Sequence, residues 1–494
     1  MAQHIPPLTS AVNGLTRPSA SALQSPDAEG LTYGRLRSLT DQVAARFHSV
    51  GIGPGDIVLA GLPNSPAFLA VLHATWSLGA VCAPMNPLLT QREARAIIDL
   101  VQPRMIVATA DLAPGEVAVR WADPWGDPPD IDRSLLRPVV ADSGVSDGDR
   151  LVLFTSGSTG SPKGVVLTEA NVTAGIAAVA KHFALAETDR TLAMLPWSHG
   201  HGLFASALAP LSAGGTVVLT TPQDMQQQPE RLLATAQPTW MTTVPSQLAY
   251  LVEAFEHSGT RVSGVRVVRT ASAPLPRALA VRGERVFGAP VVEALGMTET
   301  SHQAVADSPS WSRVMGTVGT VSPGGDMQFR LSGENILGGG RLEARGSQLF
   351  RCYLRASKAT ADAMTEDGWF RTGDIAAIEE GGRLRIIGRS TEIVNRGGAK
   401  IAPAEVEGVL AEHPDVVGAL VTGVAHPTLG QEVVAAVVMR EGTKARPADL
   451  IQYCQASLIG EKVPGRILAV DQLPALPNGK PSRRAAAALF EATR

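Results

Sequence analysis

The chain has 494 residues, which is too long for one hydrophobic core and predicts two or three packed units. Apolar residues make up 45% of it, and the net charge of −3 argues against nucleic acid or an anionic membrane as a partner. Three scattered cysteines argue against a disulfide framework and indicate the reducing cytoplasm, while the excess of Arg over Lys indicates a bacterial source.

The first part of the chain predicts alternating helices and strands. A helical apolar pattern over 36–47 predicts a helix that ends near Gly51, and a short apolar run predicts a strand at 57–60. The apolar window 67–85 contains polar residues and is bounded by prolines, so it predicts a buried helix running into a strand and no membrane span. The stretch 111–149, rich in Pro, Asp and Gly, predicts a surface connection with little regular structure.

The most informative segment is a loop of Gly, Ser and Thr between two apolar runs, 151–154 and 164–167. Its backbone N–H groups, small hydroxyls and the ammonium of Lys163 predict a hairpin that binds polyphosphate; a flexible linker is the alternative. The order Pro162-Lys163-Gly164 differs from that of a P-loop. The candidate phosphate-binding residues are Thr155, Ser156, Gly157, Ser158, Thr159, Gly160 and Lys163.

Further along the chain, β-branched runs at 217–219, 265–268 and 291–295 alternate with helical patterns, which is typical of α/β layers. In such sheets ligands bind beyond the strand ends. The pattern restarts after Gly388 in a piece the size of a small domain. The sequence therefore predicts an α/β fold with a large N-terminal region of layered sheets and helices and a small C-terminal α+β domain.

The loop at 151–167 resembles the signature of the adenylate-forming superfamily, which includes acyl-CoA synthetases, firefly luciferase and peptide-synthetase adenylation domains. Further motifs follow in the family's order, and the resemblance covers nearly the whole chain. It implies an ATP- and acyl-binding domain at 1–388 and a mobile lid domain at 389–494. It also implies an enzyme that uses ATP, Mg²⁺ and coenzyme A to activate a carboxylic acid.

Two segments resemble the family's adenine-binding motifs, Ala271-Ser272-Ala273 and 295–299. In the second, Leu295, Gly296 and Met297 precede Thr298 and Glu299. The resemblance gives Thr298 and Glu299 a role on the phosphates, with Glu299 as the Mg²⁺ ligand. Leu295 stands where the family usually has an aromatic residue that stacks on adenine, so weaker ATP binding is expected.

Three later motifs carry the remaining chemistry that the resemblance implies. Asp374 and Arg389 match the ribose contacts, and Thr391 stands where the family usually has a charged hinge residue. Gly398, in a glycine turn, matches the position beside the pantetheine of CoA. Lys480, in the C-terminal loop, matches the lysine whose ammonium neutralises charge while the α-phosphate is attacked.

The acyl pocket is expected to involve Trp197, His199, His201 and His302. The segment around Trp197, with Ser198 in place of Phe, and the segment 269–273 most resemble the oxalate–CoA and malonate–CoA ligase branch. In oxalate ligases the positions of His201, Ser272 and His302 lie beside the substrate. For these two histidines a purely structural role is an equal alternative.

The resulting prediction is an acyl-CoA ligase that converts a carboxylic acid and ATP to an acyl-adenylate and pyrophosphate, then transfers the acyl group to CoA with release of AMP. Three alternatives remain open at this level. The protein could load a carrier-protein thiol, could perform mainly thioesterification of a supplied adenylate, or could be a silent binding protein. The location is predicted to be cytoplasmic, and the sequence names neither the acid nor an oligomeric state.

Overall fold

The computed structural model describes residues 17–25, 28–110, 112–113, 115–140, 142–156, 162–443, 445–475 and 481–492. It is a mixed α/β fold with four sheets, as the sequence predicted. Within the described residues the α-helices are Tyr33–Val50, Pro66–Ser77, Gln91–Val101, Glu169–His182, Ala209–Ser212, Pro222–Gln227, Pro229–Ala236, Pro245–Ser258, Arg277–Phe287, Ser357–Ala363, Pro403–Ala411, Pro447–Ser457 and Arg483–Ala492.

The first sheet has nine strands, and its central strands are parallel because helices connect them. In spatial order they are Thr320–Val321, His302–Ala306, Val291–Met297, Val267–Ala271, Trp240–Thr243, Arg190–Ala193, Thr216–Leu219, Ser21–Ser25 and Ala28–Thr32. The predicted strands at 217–219, 265–268 and 291–295 all belong to this sheet, and their ends differ from the prediction by at most three residues.

The second sheet has seven strands and contains the predicted hairpin. In spatial order they are Cys352–Tyr353, Pro162–Thr168, Asp149–Ser156, Val81–Pro84, Ile57–Gly61, Met105–Ala108 and Val119–Arg120. The two hairpin strands are antiparallel, with Thr155 opposite Lys163. The hairpin prediction is therefore confirmed, and the lysine is placed at the mouth of its loop.

Two smaller sheets follow in the chain. The third has four strands, in the order Gln328–Ile336, Gly339–Arg345, Phe370–Ile378 and Leu384–Arg389. The fourth has five, in the order Ala399–Ile401, Val394–Arg396, Gly430–Met439 and Val416–His426, with Arg466–Ala469 paired to Gly430–Met439. The predicted domain boundary after Gly388 lies at the end of the third sheet and stays a prediction.

Local sequence explains where the elements begin and end. Thr32 caps the helix Tyr33–Val50, and Gly51 ends it with a φ of 93°, which suits glycine. The helix Pro66–Ser77 begins at the cap Ser65 and is buried on all sides up to its last residue, which accounts for its predominantly apolar sequence. No helix in the described part of the chain is long and apolar enough to cross a membrane.

Candidate active site

The phosphate hairpin brings Lys163 to a tyrosine that the sequence analysis did not select. The short strand Cys352–Tyr353 pairs with the second hairpin strand, so Tyr353 lies opposite Val165. The Lys163 ammonium lies 5.0 Å from the centre of the Tyr353 ring, within cation–π range. Gly157, Ser158, Thr159 and Gly160 fall outside the described residues, and so does the side chain of Ser156.

Tyr353 also contacts the predicted magnesium ligand. Its hydroxyl donates to Oε1 of Glu299 over 2.8 Å, and burial together with the charge of Glu299 raises the pKa of Tyr353. The phenol therefore stays protonated and remains a donor. The other carboxylate oxygen of Glu299 has no hydrogen-bond partner among the described residues. The three groups Lys163, Tyr353 and Glu299 are called the phosphate cluster below.

One free carboxylate oxygen suits Mg²⁺, which takes one or two carboxylates and completes its shell with phosphate oxygens and water. The described part of the chain contains no group of three His, Cys, Asp or Glu side chains that could hold a metal by itself. The role of Glu299 toward magnesium stays a prediction. Thr298 and Glu299 form one turn of 3₁₀ helix, Thr298–Thr300, directly after the strand that carries Leu295.

The predicted adenine segments lie side by side in the first sheet, because their strands Val267–Ala271 and Val291–Met297 are neighbours. Gly296 is required there: a Cβ at this position would lie 1.6 Å from the carbonyl oxygen of His302. Leu295 is half-buried opposite Val305. Ala271 is buried, Ser272 is exposed and has a φ of 75°, and Ala273 and Met297 are half-buried.

The predicted ribose contacts are paired in the third sheet. Asp374 lies opposite Arg389 on adjacent strands, and Nε of Arg389 is 3.1 Å from its carboxylate. Burial raises the pKa of Asp374 to about 6; Arg389 opposes this shift, and Glu392 and Glu299 add to it. Because Glu299 acts on Asp374 and Arg389 acts on Tyr353, the ribose pair lies close to the phosphate cluster.

The acyl side of the site is organised by a buried guanidinium. Arg269 is fully buried on the strand Val267–Ala271, and no carboxylate of the described residues forms an ion pair with it. Its Nη1 is 2.7 Å from Nε2 of His201, and its Nη2 is 2.8 Å from Nε2 of His302. Nη1 also donates to Thr242 and Nε to Gln303. Burial lowers the pKa of Arg269 to about 9.

The two histidines therefore meet on one cation. Their rings stack with centroids 4.8 Å apart, and Nδ1 of His201 is 3.1 Å from the hydroxyl of Ser272. His201 begins a π-helical segment, His201–Leu208, a rare conformation that is frequent at functional sites. His302 has a φ of 78°, and strain of this kind also clusters at ligand sites. These residues, with Arg269, Thr242 and Gln303, are called the arginine cluster.

Not every predicted acyl residue lies in this cluster. The indole of Trp197 is buried in the core, where it packs on Phe68 and its Nε1 is 3.3 Å from the hydroxyl of Ser206. Ser198 is buried, and its hydroxyl has no partner among the described residues. His199 is half-buried. Their roles toward the acid stay predictions.

Two predictions concern the C-terminal part of the chain. Gly398 lies in the turn between the strands Val394–Arg396 and Ala399–Ile401 with a φ of 94°, and a Cβ there would meet no atom within 4 Å. The glycine turn is confirmed, and its approach to CoA stays a prediction. Lys480 lies outside the described residues.

Sequence reasoning gave no role to Arg269, Thr242, Gln303 or Tyr353. An arginine inside an otherwise apolar strand, Val267-Val268-Arg269, was the available signal, because a buried charge needs hydrogen-bonding partners. The partners themselves lie 27 to 68 residues away from it along the chain. Only the order of strands in the sheet brings them together.

Known proteins are similar to this chain along nearly its whole length. The family model described as AMP-binding enzyme matches residues 12–354, and that of the AMP-binding enzyme C-terminal domain matches residues 405–480. The chain is 33% identical to the sulfoacetate–CoA ligase of Cupriavidus necator, over 96% of this chain and 95% of that protein. It is 32% identical to the oxalate–CoA ligase of Arabidopsis thaliana, over 96% of each chain. Its fold matches ATP-bound MatB from Rhodopseudomonas palustris with a TM-score of 0.83 and 26% identity, over 98% of this chain and 99% of that one.

Proposed function

Because this chain belongs to the AMP-binding enzyme family and is an AMP-forming acyl-CoA ligase, we propose that its acid is small and carries a second acidic group. The observation that carries the proposal is Arg269, a fully buried guanidinium that no described carboxylate neutralises. A buried charge without a counter-ion is costly, and an anionic substrate group would offset that cost.

The reaction itself has two steps. A substrate carboxylate attacks the α-phosphate of ATP, which gives an acyl-adenylate and pyrophosphate; the thiol of CoA then attacks the activated carbonyl, and AMP leaves. CoA is the acceptor in relatives that cover nearly the whole chain, so the carrier-protein and half-reaction alternatives are not favoured. The first step needs charge neutralisation and in-line positioning more than covalent catalysis.

In our proposal the phosphate cluster and the C-terminal lysine serve the first step. Lys163 and Thr298 bind phosphate oxygens, and Lys480 neutralises the attacked α-phosphate. Glu299 would hold a magnesium ion, and the Tyr353 hydroxyl, 2.8 Å from Oε1 of Glu299, would orient this carboxylate. Bound Mg²⁺ would supply charge stabilisation for the leaving pyrophosphate.

The nucleoside is bound by the two adenine segments and by the third sheet. Asp374 and Arg389 bind the ribose, with Asp374 as the hydrogen-bond acceptor. Ala271, Ser272 and Ala273 face adenine from one side, with Leu295, Gly296 and Met297 on the other. Gly398 approaches the pantetheine arm of CoA during the second step, and the boundary after residue 388 separates the two moving parts.

The size of the acid follows from chain geometry. Glu299 of the phosphate cluster and His302 of the arginine cluster are three residues apart, so their Cα atoms are separated by at most about 10 Å. The reacting carboxylate must lie near the phosphates, and the second acidic group near Arg269 and the histidines. A spacer of none or a few carbon atoms fits between these positions, as in oxalate, malonate or sulfoacetate. The cytoplasmic location and bacterial source also remain our predictions.

A panel of matched acids tests the proposal. Pyrophosphate release with ATP, Mg²⁺ and CoA is measured for oxalate, malonate and sulfoacetate, and for acetate and propionate. We expect kcat/KM for the best diacid to exceed that for the matched monoacid by about 100-fold or more, because the buried cation rejects a neutral tail. Arg269→Met should remove this preference. A monoacid or an aromatic acid as the best substrate would contradict the proposal.

A further inference from the structure

We propose that Arg269 is a positioning residue that fixes the tautomers of His201 and His302, so that both rings stay neutral and carry their proton on Nδ1. The inference rests on the proposed function only in treating the arginine cluster as the acid-binding site. It concerns how the two imidazoles are presented, which the identity of the acid does not decide.

The argument starts from the chemistry of the guanidinium, which donates hydrogen bonds and never accepts them. Its Nη1 lies 2.7 Å from Nε2 of His201, and its Nη2 lies 2.8 Å from Nε2 of His302. Both Nε2 atoms must therefore accept, and neither can carry a proton. Nε2 of His201 also lies 2.8 Å from the hydroxyl of Thr242, which accepts from Nη1 and so has its own proton to donate to Nε2. A neutral imidazole without a proton on Nε2 has it on Nδ1.

The opposite edges of both rings then become donors. Nδ1–H of His201 has the hydroxyl of Ser272 as its acceptor at 3.1 Å. Nδ1 of His302 has no hydrogen-bond partner among the described residues, so its N–H is available to an oxygen of the substrate. Arg269 thus fixes both imidazoles as hydrogen-bond donors toward an anion, although a neutral imidazole can exist in either tautomer. The guanidinium itself contacts the opposite edge of each ring.

The surroundings favour neutral rings. Burial and the charge of Arg269 lower the pKa of His302 well below its ordinary value. A proton on Nε2 of either ring would also point directly at the guanidinium. The elements that contact the cluster carry further titratable or charged groups, and Asp307 directly follows the strand of His302. These groups are Glu169, Lys181, His182, Arg190, Tyr250, Glu253, Glu256, His257, Glu293 and Glu299.

A consequence follows for the pH dependence of acid binding. With the tautomers fixed, the donors do not change between about pH 5.5 and 8, and affinity for a fully ionised acid stays constant. Without Arg269, each ring can take either tautomer or a second proton near its ordinary pKa. Acid affinity should then rise as the pH falls, because an imidazolium attracts an anion.

The direct test is ¹⁵N NMR of the wild-type protein with labelled histidines, of which the chain has ten. His201→Gln and His302→Gln identify the two signals. We expect both rings to show the pattern of a proton on Nδ1 and neither to titrate between about pH 5.5 and 8. A proton on Nε2, or titration of either ring in that range, would overturn the proposal without any change to Arg269.

The kinetic test compares the wild type with Arg269→Met, using an acid with both groups ionised, oxalate or sulfoacetate, at saturating ATP. We expect the KM for the acid to vary less than twofold between about pH 8 and 6 in the wild type, and to fall about fivefold in the variant. Arg150→Met is the control, since Arg150 is also buried but pairs with Glu169 at 3.2 Å, away from the histidines. It should keep the flat profile of the wild type.

In Arg269→Met the KM for the acid could instead rise by the same factor at every pH. That result would show that Arg269 only attracts the anion by its charge, and it would overturn the positioning role. The two proposals fail separately. A best substrate with a neutral tail would contradict the proposed substrate class, whereas the NMR pattern is read without any acid present.

Discussion

The hydroxyl of Tyr353 donates to Oε1 of Glu299 over 2.8 Å, although the two residues are 54 positions apart. Tyr353 lies on a strand of the second sheet, whereas Glu299 lies in the 3₁₀ turn that follows a strand of the first sheet. The same ring lies beneath the Lys163 ammonium. One tyrosine thus connects the residue predicted to bind magnesium with the lysine of the phosphate hairpin. It fixes one oxygen of the carboxylate, and the other oxygen has no hydrogen-bond partner in the part of the chain that the structure describes.

Removal of that hydroxyl should weaken magnesium binding. In Tyr353→Phe, Glu299 loses the group that orients it, so we expect the Mg²⁺ concentration for half-maximal activity to rise about three- to tenfold, or roughly 1 kcal/mol. Pyrophosphate release is measured across a magnesium titration. Tyr250→Phe is the control, because the Tyr250 hydroxyl bonds the Gln226 carbonyl at the surface. Identical titrations for Tyr353→Phe and the wild type would contradict this role of Tyr353.

The ribose pair predicts a dependence of ATP binding on pH. The pKa of Asp374 is raised to about 6, so the carboxylate that accepts from the ribose becomes protonated as the pH falls below that value. We expect the KM for ATP to rise about three- to tenfold between about pH 7.5 and 5. Asp374→Asn should have a high KM with no slope in this window. A sloping profile in that variant would assign the titration to another group.

The predicted adenylation lysine can be tested by separating the two half-reactions. Lys480→Ala should abolish formation of the acyl-adenylate and leave thioesterification of a supplied adenylate much less affected, because the ammonium is needed only while the α-phosphate is attacked. Lys462→Ala serves as a control from the same part of the chain, since Lys462 pairs with Glu405. Equal losses in both half-reactions would remove this role from Lys480.

The glycine turn predicts a selective loss of the second step. Gly398→Leu should give a burst of pyrophosphate without acyl-CoA, because the added side chain would obstruct CoA once the turn reaches the site. The substitution also strains the backbone, since φ is 94°. Gly442→Leu, at a φ of 76° with open space around it, carries a similar strain and should turn over normally. If both variants lose the same activity, strain alone accounts for the effect.

His73 predicts a loss of stability in acid. It is fully buried beside Trp76 with both ring nitrogens unpartnered among the described residues, and burial lowers its pKa to about 4. The unfolded chain binds a proton on this ring near pH 6.5 and the folded chain does not, so stability falls as the pH drops through this window. Above about pH 6.5 the ring is neutral in both the folded and the unfolded chain, so protonation of His73 costs no stability there.

His73→Leu should therefore raise the free energy of unfolding at pH 7.5 by about 1 kcal/mol, and with it the urea midpoint, and should raise both further at pH 5. Unfolding is followed by tryptophan fluorescence at both pH values. The exposed His257→Leu is the control and should change neither midpoint. A gain that is no larger at pH 5 than at pH 7.5 would exclude His73 as the acid-sensitive group.

The sequence by itself determined the elements that depend on local order. Apolar runs on both sides of the Gly, Ser and Thr loop predicted the hairpin, and Thr155 and Lys163 lie opposite each other as a hairpin requires. The helix ending at Gly51 and the buried helix after Ser65 were predicted for the same reason, because caps and periodicity act over a few residues. The family and the two-step reaction followed from motifs of this local kind.

Only the tertiary structure decided which side chains form hydrogen bonds with the same charged group. Arg269 gave a weak signal in its own strand, and its partners His201 and His302 come from a π-helical segment and from an antiparallel strand of the same sheet. Tyr353 reaches Glu299 only because its short strand pairs with the phosphate hairpin. The physical reason is that a buried polar group needs partners wherever the fold can supply them, and strand order places those partners far away in the chain.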